Sequence, residues 1–373
     1  MQINKTTRPL AIAVLITTSA VTGAASSIHR LYSTTSTDGL TALAPLSTLN
    51  WFVTASDISG RLEVTAWKNN PAAGRIDRMG TMPGPSVMGD FDRKSAVARI
   101  SGNRVVTASV DPIGTMRMTC WAVDGSGNVS QKGMFIDYGG SIVQFLAINT
   151  LDSSRVVTLV EIQNAYGVFA DLAAWTVDSS GFVTLQGHTQ FPAVLGYVAL
   201  TSNGYGYLVT GFSGFGGLFL SSWIVDSNGN FTHSSDASLG TPMSNAYIAL
   251  TPILGNGNFT VTSANGGTIV TQWNLSAWTG VMTELAYSNS DPAGNTVAAQ
   301  VGNGVFTLGS TEPGIRADVW YGAVNGWYTD NAVATNPSYW YPYSAMTLSP
   351  NQVISASGNT ANQMQLDVWQ WNP

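Results

Sequence analysis

Val156-Val157-Thr158, followed by Trp175-Thr176-Val177-Asp178-Ser179-Ser180-Gly181, is the stretch on which the reading of this chain turns. A β-branched run precedes an aromatic residue, and Asp and Gly then supply a tight turn with positive φ. The pattern repeats along the chain. One tryptophan returns in the same setting at Trp67, Trp121, Trp175, Trp223, Trp273, Trp320 and Trp369, at intervals of 54, 54, 48, 50, 47 and 49 residues. The upstream run returns as Phe52-Val53-Thr54, Val105-Val106-Thr107, Leu208-Val209-Thr210, Val305-Phe306-Thr307 and Val353-Ile354-Ser355, with a looser match at Phe259-Thr260-Val261. Further upstream comes an alanine among apolar residues, at Ala42, Ala98, Ala147, Ala199, Ala249, Ala299 and Ala345.

A period near 50 with several short strands per unit predicts an all-β, seven-bladed β-propeller of four-stranded antiparallel blades, since no stretch shows the 3.6-residue periodicity of a helical solenoid. Small residues on the innermost strands let blades converge on the axis. The tryptophans fall on the third strands, where a blade widens and a large ring fills the gap to its neighbour. The last unit ends four residues after Trp369 and has no fourth strand of its own. Ile28-His29-Arg30-Leu31-Tyr32 matches the first unit's fourth strand, Ile76-Asp77-Arg78-Met79-Gly80, so an N-terminal strand is expected to complete the last blade and close the ring.

In architecture the chain resembles the seven-bladed β-propeller group over nearly its whole mature length. It carries neither the Gly-His and Trp-Asp pairs of WD40 blades nor the double glycine of kelch repeats. The Trp-x-Val-Asp-x-x-Gly segments are similar to those of secreted bacterial propellers of uncharacterised or lectin-like role. That resemblance implies a fold and transfers no activity, because propellers host hydrolases, lyases, lectins and scaffolds alike.

Residues 1–25 read as a signal peptide: Lys5 and Arg8 form a basic start, Leu10 to Val21 an apolar run, and Thr22 to Ala25 a small-residue cleavage site. The mature domain is then 26–373, secreted to an extracellular or periplasmic space, without a membrane-spanning segment and expected to be a monomer. Without Lys5 and Arg8 it holds 13 basic and 21 acidic residues, a formal charge of −8, which argues against nucleic acid as a partner. Cys120 is the single cysteine, so no internal disulfide can form, and its setting beside Trp121 suits a buried filler.

No cluster names a reaction, and no catalytic residue, metal or cofactor is expected. His29, His188 and His233 fall on the outermost strands of three different blades, too dispersed for a zinc site or a nucleophile's base. Asp124-Gly-Ser-Gly-Asn128 and Asp226-Ser-Asn-Gly-Asn230 lack the later bidentate acid of a calcium loop and read as hairpin turns. The loops that pass from one blade to the next, with those joining second to third strands, carry the candidate ligand residues: Tyr339, Trp340, Tyr341, Tyr343, Asp90, Asp92, Asp111 and Tyr166. Asp57, Asp137, Tyr138, Glu161, Phe212, Phe215 and Glu312 fall in the same loops. Rings beside carboxylates suit a sugar, whose C–H face stacks while its hydroxyls bond. The leading expectation is a non-catalytic recognition module for a glycan or an extracellular protein. The alternatives are a polysaccharide hydrolase or lyase with paired acids near the central opening, and a structural envelope component.

Overall fold

The computed structural model describes residues 26–373 except 37–38, 40, 89–94, 138–141, 194–195, 203–206, 215–216, 240–246, 253–257, 265–267, 277–278, 290–294, 312–313, 323–327, 337–338 and 360–362. Strand positions 137, 142, 239, 258, 260–264, 287, 289, 311, 321–322, 328–333, 336, 339–340 and 359 are described by backbone alone. The expected signal segment and the acids Asp90 and Asp92 therefore lie outside the described residues.

The strands form seven four-stranded antiparallel sheets. Blade 1 runs Thr41–Pro45, Trp51–Ile58, Arg61–Asn70 and Arg75–Ser86, in that order from the axis outward, and the next five blades repeat it in sequence order. Blade 7 is built from Tyr339–Ser349, Gln352–Asn359 and Met364–Asn372, and its outermost strand is Ser27–Ser36 from the other end of the chain. The register across the closure runs from Ser27 opposite Asn372 to Ser36 opposite Met364.

That closing strand copies its counterparts closely. In each of the first six blades the pairing of third and fourth strands slips by one residue immediately before the tryptophan, leaving a bulged residue on the outer strand such as Met79, Lys132 or Gln186. Blade 7 slips in the same place, with Arg30 opposite Trp369, Tyr32 opposite Val368, and Leu31 as the bulge. The extra residue bends the strand and raises its twist, which suits the rim of a propeller blade.

Seven seams between blades take the place of one central core, and each repeated tryptophan plugs the seam with the preceding blade. Trp175 packs on Val106, Met118 and Cys120 of blade 2, Trp121 on Leu62 and Val64 of blade 1, and Trp67 on Ile354 and Leu366 of blade 7. Trp223, Trp273, Trp320 and Trp369 do the same around the rest of the ring. A buried indole N–H needs an acceptor, and the threonine of the upstream run provides it. Trp121 Nε1 donates to Thr107 Oγ1 at 2.9 Å, and Trp67, Trp175, Trp223 and Trp320 donate to Thr54, Thr158, Thr210 and Thr307. Ser355 serves Trp369. Blade 5 departs from the rule because the equivalent position is Val261, and Trp273 donates instead to Thr271 on its own strand at 2.9 Å.

Cys120 is buried in the seam of blades 2 and 3, where burial pushes its thiol up to about 11 against the opposing pull of Arg104 and Lys132. The expected alanines at the axis need one adjustment. Ala42, Ala147, Ala199, Ala249 and Ala345 line the central channel, but in blades 2 and 6 the lining alanines are Ala96 and Ala298. Ala98 and Ala299 pack in the seams with the following blades.

Asp367, fully buried on the third strand of blade 7, ties the closure electrostatically. Its Oδ1 accepts from Gln365 Nε2 at 3.1 Å and from Arg30 Nη1 of the closing strand at 3.4 Å. Burial raises its carboxyl to about 6, with the hydrogen bond from Gln365 and the charge of Arg30 pulling the other way. The folded protein therefore holds this proton more tightly than the unfolded chain, and stability falls as pH rises from about 4 to about 6. Asp367→Asn escapes that loss. Its stability relative to wild type is expected to increase by up to about 3 kcal/mol between about pH 4 and about pH 7 in urea melts, and a pH-independent difference would contradict the assignment.

Candidate functional site

The strand ends from which the chain crosses to the next blade, and those at which second strands give way to third, lie at one end of the ring, and the remaining strand ends lie at the other. The second end is a framework of Asx turns. Asp124 Oδ1 accepts from the backbone N–H groups of Ser126 and Asn128 at 2.8 and 2.9 Å, and Asp178 and Asp226 repeat the arrangement. These bonds, led by those from the side chains of Asn128, Ser180 and Asn230, hold all three carboxyls below their ordinary range. Adjacent blades are clipped here by Arg104 Nη1 donating to the Asp178 carbonyl at 2.6 Å and by Arg155 Nη1 donating to that of Asp226 at 2.7 Å. Every one of these acids has a structural occupation.

At the crossing end the innermost strands of all seven blades enclose a channel of about 260 Å³ lined by small and aliphatic side chains. Asp57 is the carboxylate among its described lining residues, with Thr41, Ser95, Ser344 and Tyr343 contributing hydroxyls. Burial raises the Asp57 carboxyl, and backbone N–H groups of Gly60 and Arg61 partly offset this. Tyr343 is half-buried, its hydroxyl pushed up by burial and then by Tyr341, and it lies against Gly358, where any Cβ would collide with the phenol oxygen. Tyr341 remains 48% exposed. Tyr339, Trp340, Tyr341 and Tyr343, expected in the loop that crosses into blade 7, belong by their backbone to its innermost strand, Tyr339–Ser349. Register shifts between Tyr339 and Tyr341 and between Pro342 and Ser344 let the stretch around Pro342 pair with the second strand.

Asp111 is 2% exposed and shapes its loop. Its Oδ1 accepts from the N–H groups of Ile113 and Thr115 at 3.0 and 2.9 Å, while Oδ2 takes Nε and Nη2 of Arg117 at 3.2 and 3.0 Å. A carboxylate with both oxygens engaged and no access to solvent presents nothing to a ligand. The consequence is that Ile113, at the loop's tip, is held 81% exposed. On the next blade, Asn164 Oδ1 accepts the N–H of Tyr166 at 2.8 Å and Gly167 takes φ 135°, which fixes a tight turn with Tyr166 91% exposed. Glu161 and Phe212, also expected in this face, are buried: Glu161 Oε2 accepts the Gly196 N–H at 3.1 Å, and Phe212 packs on Phe191. Tyr138, Phe215 and Glu312 lie outside the described residues, as does the side chain of Asp137.

The histidines occupy outermost strands, as expected from their spacing, and two have acidic partners. His188 Nδ1 lies 3.2 Å from the buried Asp171, and His233 Nε2 lies 2.8 Å from Asp236. No group of three or more His, Cys, Asp or Glu side chains suited to a metal occurs among the described residues.

No protein-family profile matches the chain, and no curated protein matches it in sequence. Solved structures do resemble it. The RRP9 WD40 repeats superpose with a TM-score of 0.58 at 12% identity, covering 94% of this chain and 99% of that one. A putative 6-phosphogluconolactonase from Bacteroides fragilis gives 0.55 at 13% identity, over 79% and 86% of the two chains. A protein from Lactobacillus plantarum gives 0.55 at 13% identity, over 80% and 88%. At such identities the likeness concerns architecture alone, and what it establishes is that this chain has the β-propeller fold.

Proposed function

We propose that the protein is an exported, non-catalytic recognition module that holds a glycan or an extracellular protein against the crossing end of the ring. The observation that carries this reading is the pair Ile113 and Tyr166. Both are large, apolar and almost fully in solvent, they stand on neighbouring blades, and their loops are locked by Asp111 and Asn164. Large side chains held outward on a rigid scaffold serve contact with something else, since they contribute nothing to the seams beneath. Tyr341 adds an exposed ring near the channel mouth. A hydrolase would require a second acid facing Asp57, and Asp111 is occupied in its own loop.

Glycan arrays and pull-down from extracellular extracts test the proposal with wild type beside the Ile113→Ser/Tyr166→Ala double variant. The variant should melt like wild type, because neither side chain supports a seam, and should lose about tenfold or more in affinity. Undiminished binding by the double variant would rule out this end of the ring as the contact surface.

A further inference from the structure

The seam between blades 3 and 4 holds an apolar groove at its crossing end. Four residues before each repeated tryptophan, the third strand carries Glu63, Arg117, Asp171, Phe219, Ile269, Arg316 and Gln365 in blade order. In blades 1, 2, 3, 6 and 7 that side chain is engaged in a polar pair, with Arg78, Asp111, His188, Asp318 and Asp367 respectively. In blades 4 and 5 the position is apolar, Phe219 and Ile269, and in blade 4 the space beside it stays open. What remains is a groove of about 300 Å³ whose floor and sides are Phe191, Pro192, Phe212, Phe219 and Leu220.

One wall of this apolar groove bears a fixed negative charge. Asp236 Oδ1 accepts from Ser221 Oγ at 2.7 Å and lies 2.8 Å from His233 Nε2, so two neighbours orient a carboxylate whose side chain is largely exposed. Burial would raise this carboxyl, but the bonds from Ser221 and His233 outweigh it and hold it below its ordinary value. His233 in turn sits edge-on to Trp223, the seam plug, with ring centroids 5.0 Å apart. The carboxylate is anchored to the rigid part of the blade.

We propose that this groove binds a small organic cation with an aromatic or cyclic aliphatic body and a primary ammonium group. The rings of Phe191 and Phe219 would take the body, and Asp236 Oδ2 the ammonium. A sugar fits poorly, because the groove's polar side chains are Ser221 and Asp236, and the first already donates to the second, so most hydroxyls would lose water without gaining a partner. An anion is repelled by Asp236. A cation with an apolar stem meets both the apolar surface and the single charge. The groove is independent of the contact surface around Ile113 and Tyr166, and its occupation does not rest on the recognition reading.

Isothermal titration of the mature protein with 2-phenylethylamine, 2-phenylethanol and phenylacetate separates charge from shape. The amine is expected to bind about tenfold or more tightly than the isosteric alcohol, and the acid not at all. Asp236→Asn should reduce amine affinity to that of the alcohol, and Phe219→Ser should weaken both ligands about tenfold. Asp236 and Phe219 are exposed enough that both variants will fold, which thermal melts verify. In proton NMR, with three histidines to resolve, the His233 imidazole resonance should move with the amine while that of His29 stays in place. Equal binding of amine and alcohol, equal binding by wild type and Asp236→Asn, or no binding up to about 10 mM amine would each overturn the proposal.

Discussion

Deleting residues 27–36 will leave a chain that does not reach a stable folded monomer. The deletion removes a whole strand of blade 7, paired over its length with Met364–Asn372. It also uncovers Trp369 and Trp371, which cluster with Ile28 in the seam of blades 6 and 7. The exposed third strand would become an unpaired sheet edge with an apolar face, a template for association. Gel filtration should show aggregate, and circular dichroism should show loss of the cooperative melt. A peptide of residues 27–36 supplied in trans should recover part of the monomer, because the register is specified by Ile28 and the bulge at Leu31 and needs no covalent link. A deleted chain that melted like wild type would show that the ring closes in some other way.

Trp175→Ala is the second large effect. The indole is fully buried between Val106, Met118 and Cys120 of blade 2 and the β-rich body of blade 3, and Phe135 meets it edge-on at 5.2 Å. Truncation leaves a cavity at the widest part of the seam and orphans the Thr158 hydroxyl that accepted its N–H. A loss of about 3–5 kcal/mol is expected from urea unfolding, against about 1–2 kcal/mol for Thr158→Val, which removes only the acceptor. If both substitutions cost the same, the hydrogen bond rather than the packing would dominate the seam.

The tryptophans and their upstream threonines made the blades legible because both halves of one hydrogen bond recur in the sequence at nearly constant separation. The closing strand was legible for a similar reason, since Ile28, Arg30 and Leu31 repeat the roles of Ile76, Arg78 and Met79 around the same bulge. Alanine positions in blades 2 and 6 were misplaced because short innermost strands hold several small residues, and only pairing with the second strand tells which one faces the axis. The surface was much less readable. Asp111, Asp57 and Glu161 look alike in sequence, and their differing fates depend on whether a neighbouring N–H or guanidinium turns inward to meet them. The groove of blade 4 left a trace, Phe219 where four other blades place a charge, but Ile269 of blade 5 breaks the same pattern, and only the packing of Phe191 and Phe212 around Phe219 shows which of the two opens a groove.

Ring closure by strands from opposite ends has a geometric outcome for how the molecule can be mounted. Ser27 and Asn372 lie side by side, at the end of the ring that carries the Asx turns. A tether, tag or neighbouring domain joined before Ser27 or after Asn372 therefore leaves from the base, and both points of attachment share that base. The loops bearing Ile113 and Tyr166 then point away from whatever surface holds the protein. The same adjacency makes the chain a candidate for circular permutation: a short linker from Asn372 to Ser27, with new ends opened in the turn around Ser126, would preserve every seam.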